Sequence, residues 1–213
     1  MQSWKRFQLG WFRLTLEELR NASDFVETAI QRHRADLDAR AEESKQTMSP
    51  EDWEQYVEFL SDEAYQIREV FPQTLRRALL VTAMSMLEVE LERFCNRHKA
   101  ALKLAIGPED IGGKGIFQSQ RYLKKAIQIA FPDQTREWTE IGSLSRLRNA
   151  IVHRDGHVKD DNAELRRFIQ TWDSLELVND EIVLHRDFLP HVIDVFERFW
   201  ALLTKGQGQA NAK

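Results

Sequence analysis

The chain has 213 residues, 30% of them charged, with a formal net charge of −4, five Pro and nine Gly. So few breakers argue against a turn-rich β architecture and for helices, and one cysteine, Cys95, excludes an internal disulfide and a multi-cysteine metal site. The net negative charge argues against a protein that coats nucleic acid without specificity.

In chain order, Phe12, Leu16, Leu19, Val26, Ile30 and Leu37 recur at helical spacing and predict an amphipathic helix over 12–37. The apolar face then fades. Residues 38–52 are polar and are expected to form a projecting tip. Ser49 and Pro50 supply a cap and a first-turn proline for a second helix, striped by Trp53, Tyr56, Val57, Leu60, Ala64, Ile67 and Val70. Together, 12–70 reads as an antiparallel helical hairpin.

Pro72 is expected to restart or kink the chain. From there to His98 runs the most apolar helix, with Leu75, Leu79, Leu80, Ala83, Met86, Leu87, Leu91, Phe94 and Cys95, placed at the centre of a bundle. Gly107 to Gly115 is a loop by composition, with only fragments of a phosphate-loop pattern. A fourth helix is expected over 117–130, with Tyr122, Leu123, Ile127 and Ile129 inward and Arg121, Lys124 and Lys125 outward. Phe131 to Thr135 is a turn and helix start; Trp138 and Ile141 then lead through Gly142-Ser143 to a short helix that ends at Asp155-Gly156. Leu165, Phe168, Ile169 and Trp172 mark a further helix. Leu175 to Leu184 alternates around Asn179-Asp180, a β-hairpin signal. A last helix, capped by Asp187, runs through Val192, Ile193, Phe196, Phe199, Trp200 and Leu203, and 206–213 reads as a frayed tail. The expected fold is all-α: a single helical domain over 1–205, with a projecting hairpin at 12–70, a core bundle at 71–205 and one small β-hairpin before the last helix.

The candidate chemistry lies at Arg148, Asn149 and His153. An Arg followed five residues later by His identifies nothing alone, since Arg93 to His98 and Arg186 to His191 share the spacing. The middle copy is set apart by the Asn directly after its Arg and by the helix stop that follows. At 100° per residue, Leu144, Leu147 and Ile151 form a core stripe, whereas Asn149 and His153 share a face away from it. Arg148 lies between the two sides, with a long side chain that reaches along the surface. An imidazole exchanges protons near neutral pH, a guanidinium holds a phosphate with two hydrogen bonds, and an amide orients either. The same residues also fit a plain helix end: a histidine favoured by the helix dipole, an arginine paired with a carboxylate, an asparagine bonded to backbone.

Residues 96–167 carry 14 Lys/Arg against 9 Asp/Glu, a net of +5, while the remainder has 16 against 25. Within that basic segment, Arg146, Arg154, Lys124 and Lys125 are the candidate substrate-binding cations. His153 and His157 lack a completing ligand, so no metal site and no cofactor are expected. The first ten residues lack the apolar run of a signal peptide, and no stretch is apolar enough to span a membrane, so a soluble cytoplasmic protein is expected. Trp4 and Trp11, outside any clear period, are candidates for packing across a dimer interface. Glu88 and Glu92 are expected in surface or structural ion pairs rather than in a cleft.

At Arg148-Asn149-Ala-Ile-Val-His153, continued by Arg154-Asp155-Gly156, the chain resembles the HEPN superfamily, whose signature is Arg-Asn-x-x-x-His near the end of a bundle helix. The segment Ser85-Met-Leu-Glu-Val-Glu-Leu-Glu-Arg-Phe94 is similar to the family's other central helix, and the resemblance covers about 70–205. It implies a helical bundle forming a symmetric homodimer. In catalytic members, two copies of the motif meet on the two-fold axis and cut RNA without metal, using a ribose 2′-hydroxyl as nucleophile. Carried over, His153 would assist proton transfer, Arg148 would bind the phosphate and Asn149 would position them. Many such proteins are toxins or antiviral defence effectors, so RNA and an antitoxin or defence-system protein are the implied partners. Other members are non-catalytic and act as interaction or nucleotide-binding modules.

Overall fold

A computed structural model describes the backbone of residues 2–205 and the side chains of 10–205. The expected tail at 206–213 and the side chain of Trp4 lie outside the described residues. The helices are α1 (Gln2–Thr47), α2 (Pro50–Tyr65), α3 (Phe71–Leu102), α4 (Gly115–Lys125), α5 (Arg136–Arg154), α6 (Ala163–Gln170) and α7 (Phe188–Lys205). Between α6 and α7 lies an antiparallel hairpin of β1 (Leu175–Val178) and β2 (Glu181–Leu184). The fold is the expected all-α bundle with one small β-hairpin before the last helix.

The core forms where the apolar stripes of α1, α3, α4, α5 and α7 converge. Leu16, Leu87, Phe94, Leu144, Leu147 and Phe196 are fully buried there. Each such side chain contributes on the order of 1.5–3 kcal/mol of transfer free energy. Trp200 packs on Phe12 and Phe94, and Trp138 on Phe131 and Phe199, tying α1 and α5 to α7.

Beyond this core, the distal half of α1 and α2 form an arm with a small cluster of their own, Leu37, Leu60 and Ile67. The expected polar tip over 38–52 is mostly helix: α1 continues to Thr47, and the connection is only Met48 and Ser49. Ala39, Arg40, Ala41, Glu42, Glu43 and Lys45 are strong helix formers. Their helix is further supported by Ala41 packing on the arm cluster and by the Arg40–Glu63 pair. Ser49 caps α2 as expected, its Oγ accepting the Asp52 N–H at 3.2 Å, with Pro50 in the first turn.

A π-helical turn, Gln66–Val70, joins α2 to α3, and the expected restart falls here: α3 begins at Phe71 with Pro72 in its first turn, the widened π turn preceding the residue that lacks an N–H. α4 ends at Lys125, short of the expected 130, and Gln128 adopts φ 60. Ile127 and Phe131 are buried from this irregular link instead of from a helix.

The β-hairpin turns through Asn179 and Asp180, both with positive φ, as a two-residue hairpin turn requires. Its β2 edge is closed by side chains from the start of α3. Gln73 donates to the Leu184 carbonyl and accepts its N–H, at 3.0 and 2.9 Å. Arg76 donates to the same carbonyl at 2.9 Å while forking onto buried Glu27 of α1 at 2.7 and 2.8 Å. The outward N–H and carbonyl of Leu184 are thereby satisfied without a third strand.

Candidate functional site

The sequence splits Gly142-Ser143 from the helix that follows, but α5 is one helix of 19 residues running through both. Gly142 passes beneath the Phe117 ring at the start of α4, where a Cβ would come within 3.9 Å of the ring. Thr135 caps α5, accepting the Trp138 N–H, and Leu144 and Leu147 bury its inner face as periodicity predicts, joined by Ala150. Ile151 is partly buried against the same core. The helix stops because Asp155 takes a left-handed conformation, φ 50, followed by Gly156 at φ 83. The N–H groups of both turn back to the Ala150 carbonyl.

This backbone sets out the candidate residues. Asn149 and His153 are exposed on one face, and neither side chain has a hydrogen bond or ion pair among the described residues. Arg148 is half buried towards α3, where its Nη2 donates to Glu88 Oε1 at 2.5 Å, the two side chains being 23% and 27% exposed. Its Nε is buried without a partner. Glu88 therefore belongs to the site, as the ion-pair partner of the motif arginine. Gly115 comes up against it: a Cβ there would lie 3.0 Å from Glu88 Oε1. The motif thus presents a free imidazole, a free amide and a guanidinium neutralised by a carboxylate, at an open helix end.

The candidate cations divide. Arg146 lies on the Asn149–His153 face but pairs with Glu164 of α6 at 2.9 Å. Arg154 is exposed in the last turn beside His153. Lys124 pairs with Asp133, just before the α5 cap, and exposed Lys125 follows it at the end of α4. From the first turn of α5 to His153 is roughly 26 Å of helix axis. The structure therefore places Lys124 and Lys125 by the start of α5 and does not bring them to the motif. Of the other Arg-to-His spacings, Arg93 pairs with Glu90, and His191 stacks on Trp172 with ring centres 3.8 Å apart.

Neither motif nor periodicity points to Arg77. It reaches from α3 to the turn that ends α5, donating from Nη2 to Glu181 Oε1 at 2.7 Å and to the Ile182 carbonyl at 2.8 Å. Its Nη1 lies 3.5 Å from the Asp155 carbonyl and 3.7 Å from Asp155 Oδ1. Two adjacent arginines, Arg76 and Arg77, at the head of an otherwise apolar helix were the available signal. Cys95 is buried, and burial pushes its thiol up to about 12, so it is no nucleophile at neutral pH.

The outward stripe of α3, with Leu75, Ala78, Thr82, Ser85 and Val89, runs between α1 on one side and α5 on the other. The Glu88–Arg148 pair bounds it towards α5. On α1, Trp11 and Phe25 are also exposed, at 54% and 75%. Among the described residues, no helix is long and apolar enough to cross a membrane, and no cluster of three metal-ligating side chains occurs.

No protein-family profile matches the chain, and neither a curated protein nor a solved structure matches it.

Proposed function

We propose that the chain is a metal-independent endoribonuclease of the HEPN type, acting as a homodimer on RNA in the cytoplasm, in the manner of a toxin or defence effector. The observation that carries this reading is the free, exposed Asn149–His153 face beside the Arg148–Glu88 pair, at the end of a core helix. A rigid helix whose inner face is packed holds such groups more reproducibly than a loop does.

The chemistry assigned to these groups is transesterification. The ribose 2′-oxygen attacks the adjacent phosphorus, its proton passing to His153 Nδ1 or Nε2 as general base. The P–O5′ bond breaks, and the 5′-oxygen leaves with a proton supplied by a general acid, the second His153 of the dimer. Arg148 balances the charge gained on the phosphoryl oxygens, which requires it to exchange some of its contact with Glu88 for phosphate. The products are a 2′,3′-cyclic phosphate and a 5′-hydroxyl. Exposed Leu75 and Val89 of α3, together with exposed Trp11 and Phe25 of α1, support a dimer face flanking the motif. Purified protein incubated with single-stranded RNA in EDTA should give products with those ends. Intact RNA, or cleavage that needs added metal, would remove the assignment.

The Arg148–Glu88 pair also favours a second reading, a non-catalytic helical interaction module in which the pair is structural. The exposed Phe59 of the arm is the surface such a module would offer a protein partner. That reading predicts intact RNA, and loss of partner binding when the arm is shortened.

A further inference from the structure

We propose that Arg77 is a positioning residue for His153, acting through the turn that ends α5; the proposal deepens the ribonuclease reading and rests on it for its catalytic consequence. His153 has no side-chain tether among the described residues. Its place is set by the last turn of α5 alone, and that turn is held from outside. Arg77 comes from α3 and is only 14% exposed. One guanidinium nitrogen bonds Glu181 and the Ile182 carbonyl of β2; the other faces the carbonyl and carboxylate of Asp155, two residues beyond His153. The same strand grips the turn a second time, since the Ile182 N–H donates to the Gly156 carbonyl at 3.0 Å.

The fit is close, and a side chain here would have to displace the guanidinium. A Cβ on Gly156 would lie 2.9 Å from Arg77 Nη2 and 3.1 Å from Arg77 Cζ, at a φ of 83 that other residues rarely adopt. A half-buried guanidinium is costly unless its partners are well placed, and Arg77 Nε has none. The planar fork, however, can meet a carboxylate and two carbonyls on two separate segments, which an ammonium on a single point cannot do. Arg77 therefore fixes the relation between the β-hairpin and the helix end that carries the imidazole. A small displacement of a reacting group costs rate far more than it costs binding.

The test compares wild type with Arg77→Gln and Arg77→Lys, each checked for an unchanged circular dichroism spectrum. Two quantities are read: RNA cleavage as separate kcat and KM, and the His153 imidazole resonances, assigned by their loss in His153→Ala. Expected for Arg77→Gln is a kcat lower by roughly tenfold or more with KM within about twofold, partial recovery in Arg77→Lys, and a displaced His153 signal. Unchanged kcat per folded molecule with an unmoved His153 signal would overturn the proposal. If wild type leaves RNA intact, the ribonuclease reading fails, and the imidazole signal alone decides the positioning. Should Arg77→Gln not fold, Glu181→Gln weakens the clamp from its exposed side. It should displace the His153 signal in the same direction, and an unmoved signal there would equally overturn the proposal.

Discussion

Arg148 donates to Glu88 at 2.5 Å, so the motif arginine meets a carboxylate from the neighbouring core helix. A phosphate brought to this arginine competes with a resident anion. Glu88→Gln should remove the competitor and keep the shape. RNA affinity, read by fluorescence anisotropy with His153→Ala in the background to prevent turnover, is expected to rise by roughly threefold to tenfold. A fall in affinity would mean that the pair builds the site more than it occupies it. Stability should drop by about 1 kcal/mol, because both side chains keep partial access to water.

Gly156 cannot be replaced cheaply. Gly156→Ala meets both a positive φ and the Arg77 guanidinium, and is expected to destabilise by about 2–3 kcal/mol in urea unfolding. Combined with Arg77→Gln, the loss should be clearly less than the sum, since one contact is then counted twice. Additive losses would show that the turn and Arg77 act independently.

The arm and the bundle should respond differently to cavities. Leu147→Ala, in the main core, is expected to cost about 2–5 kcal/mol globally. Leu60→Ala empties part of a cluster of three buried residues and should loosen the arm alone. Hydrogen exchange checks this: faster exchange over 31–70 with α5 and α7 still protected. Global loss of protection in Leu60→Ala would mean that arm and bundle unfold together.

Cys95 should be silent towards thiol reagents at pH 8. Burial pushes its thiol up to about 12, which leaves almost no thiolate there. Reactivity appearing in step with urea unfolding is expected; rapid labelling of the folded protein would contradict the burial.

Much of this was legible from local signals. Leu144, Leu147 and the Asp155-Gly156 stop placed the inner face and the end of α5, and Asn179-Asp180 placed the hairpin turn. Periodicity misjudged the stretch over 38–47, because helix there rests on intrinsic propensity and a thin two-helix contact instead of a deep apolar face. It also overran α4, because Ile127 and Ile129 keep apolar spacing along a link that is not helical. At the site, the exposure of Asn149 and His153 followed from angle alone. What could not be read were pairings across long sequence separations: Arg148 with Glu88, 60 residues apart, and Arg77 with Glu181, 104 apart. The split between Arg146 and the Lys124–Lys125 pair has the same origin, since net charge carries no information about which end of a helix it occupies.

The central claim is that His153 carries proton transfer in RNA cleavage. The most direct measurement sets wild type beside His153→Ala on single-stranded RNA in EDTA, with matched circular dichroism and thermal unfolding. His153 is exposed and unbonded among the described residues, so its removal should leave the fold intact. The account predicts cleavage by wild type and a loss of at least about a hundredfold in the variant. Equal cleavage by both proteins, or none by either, would contradict it.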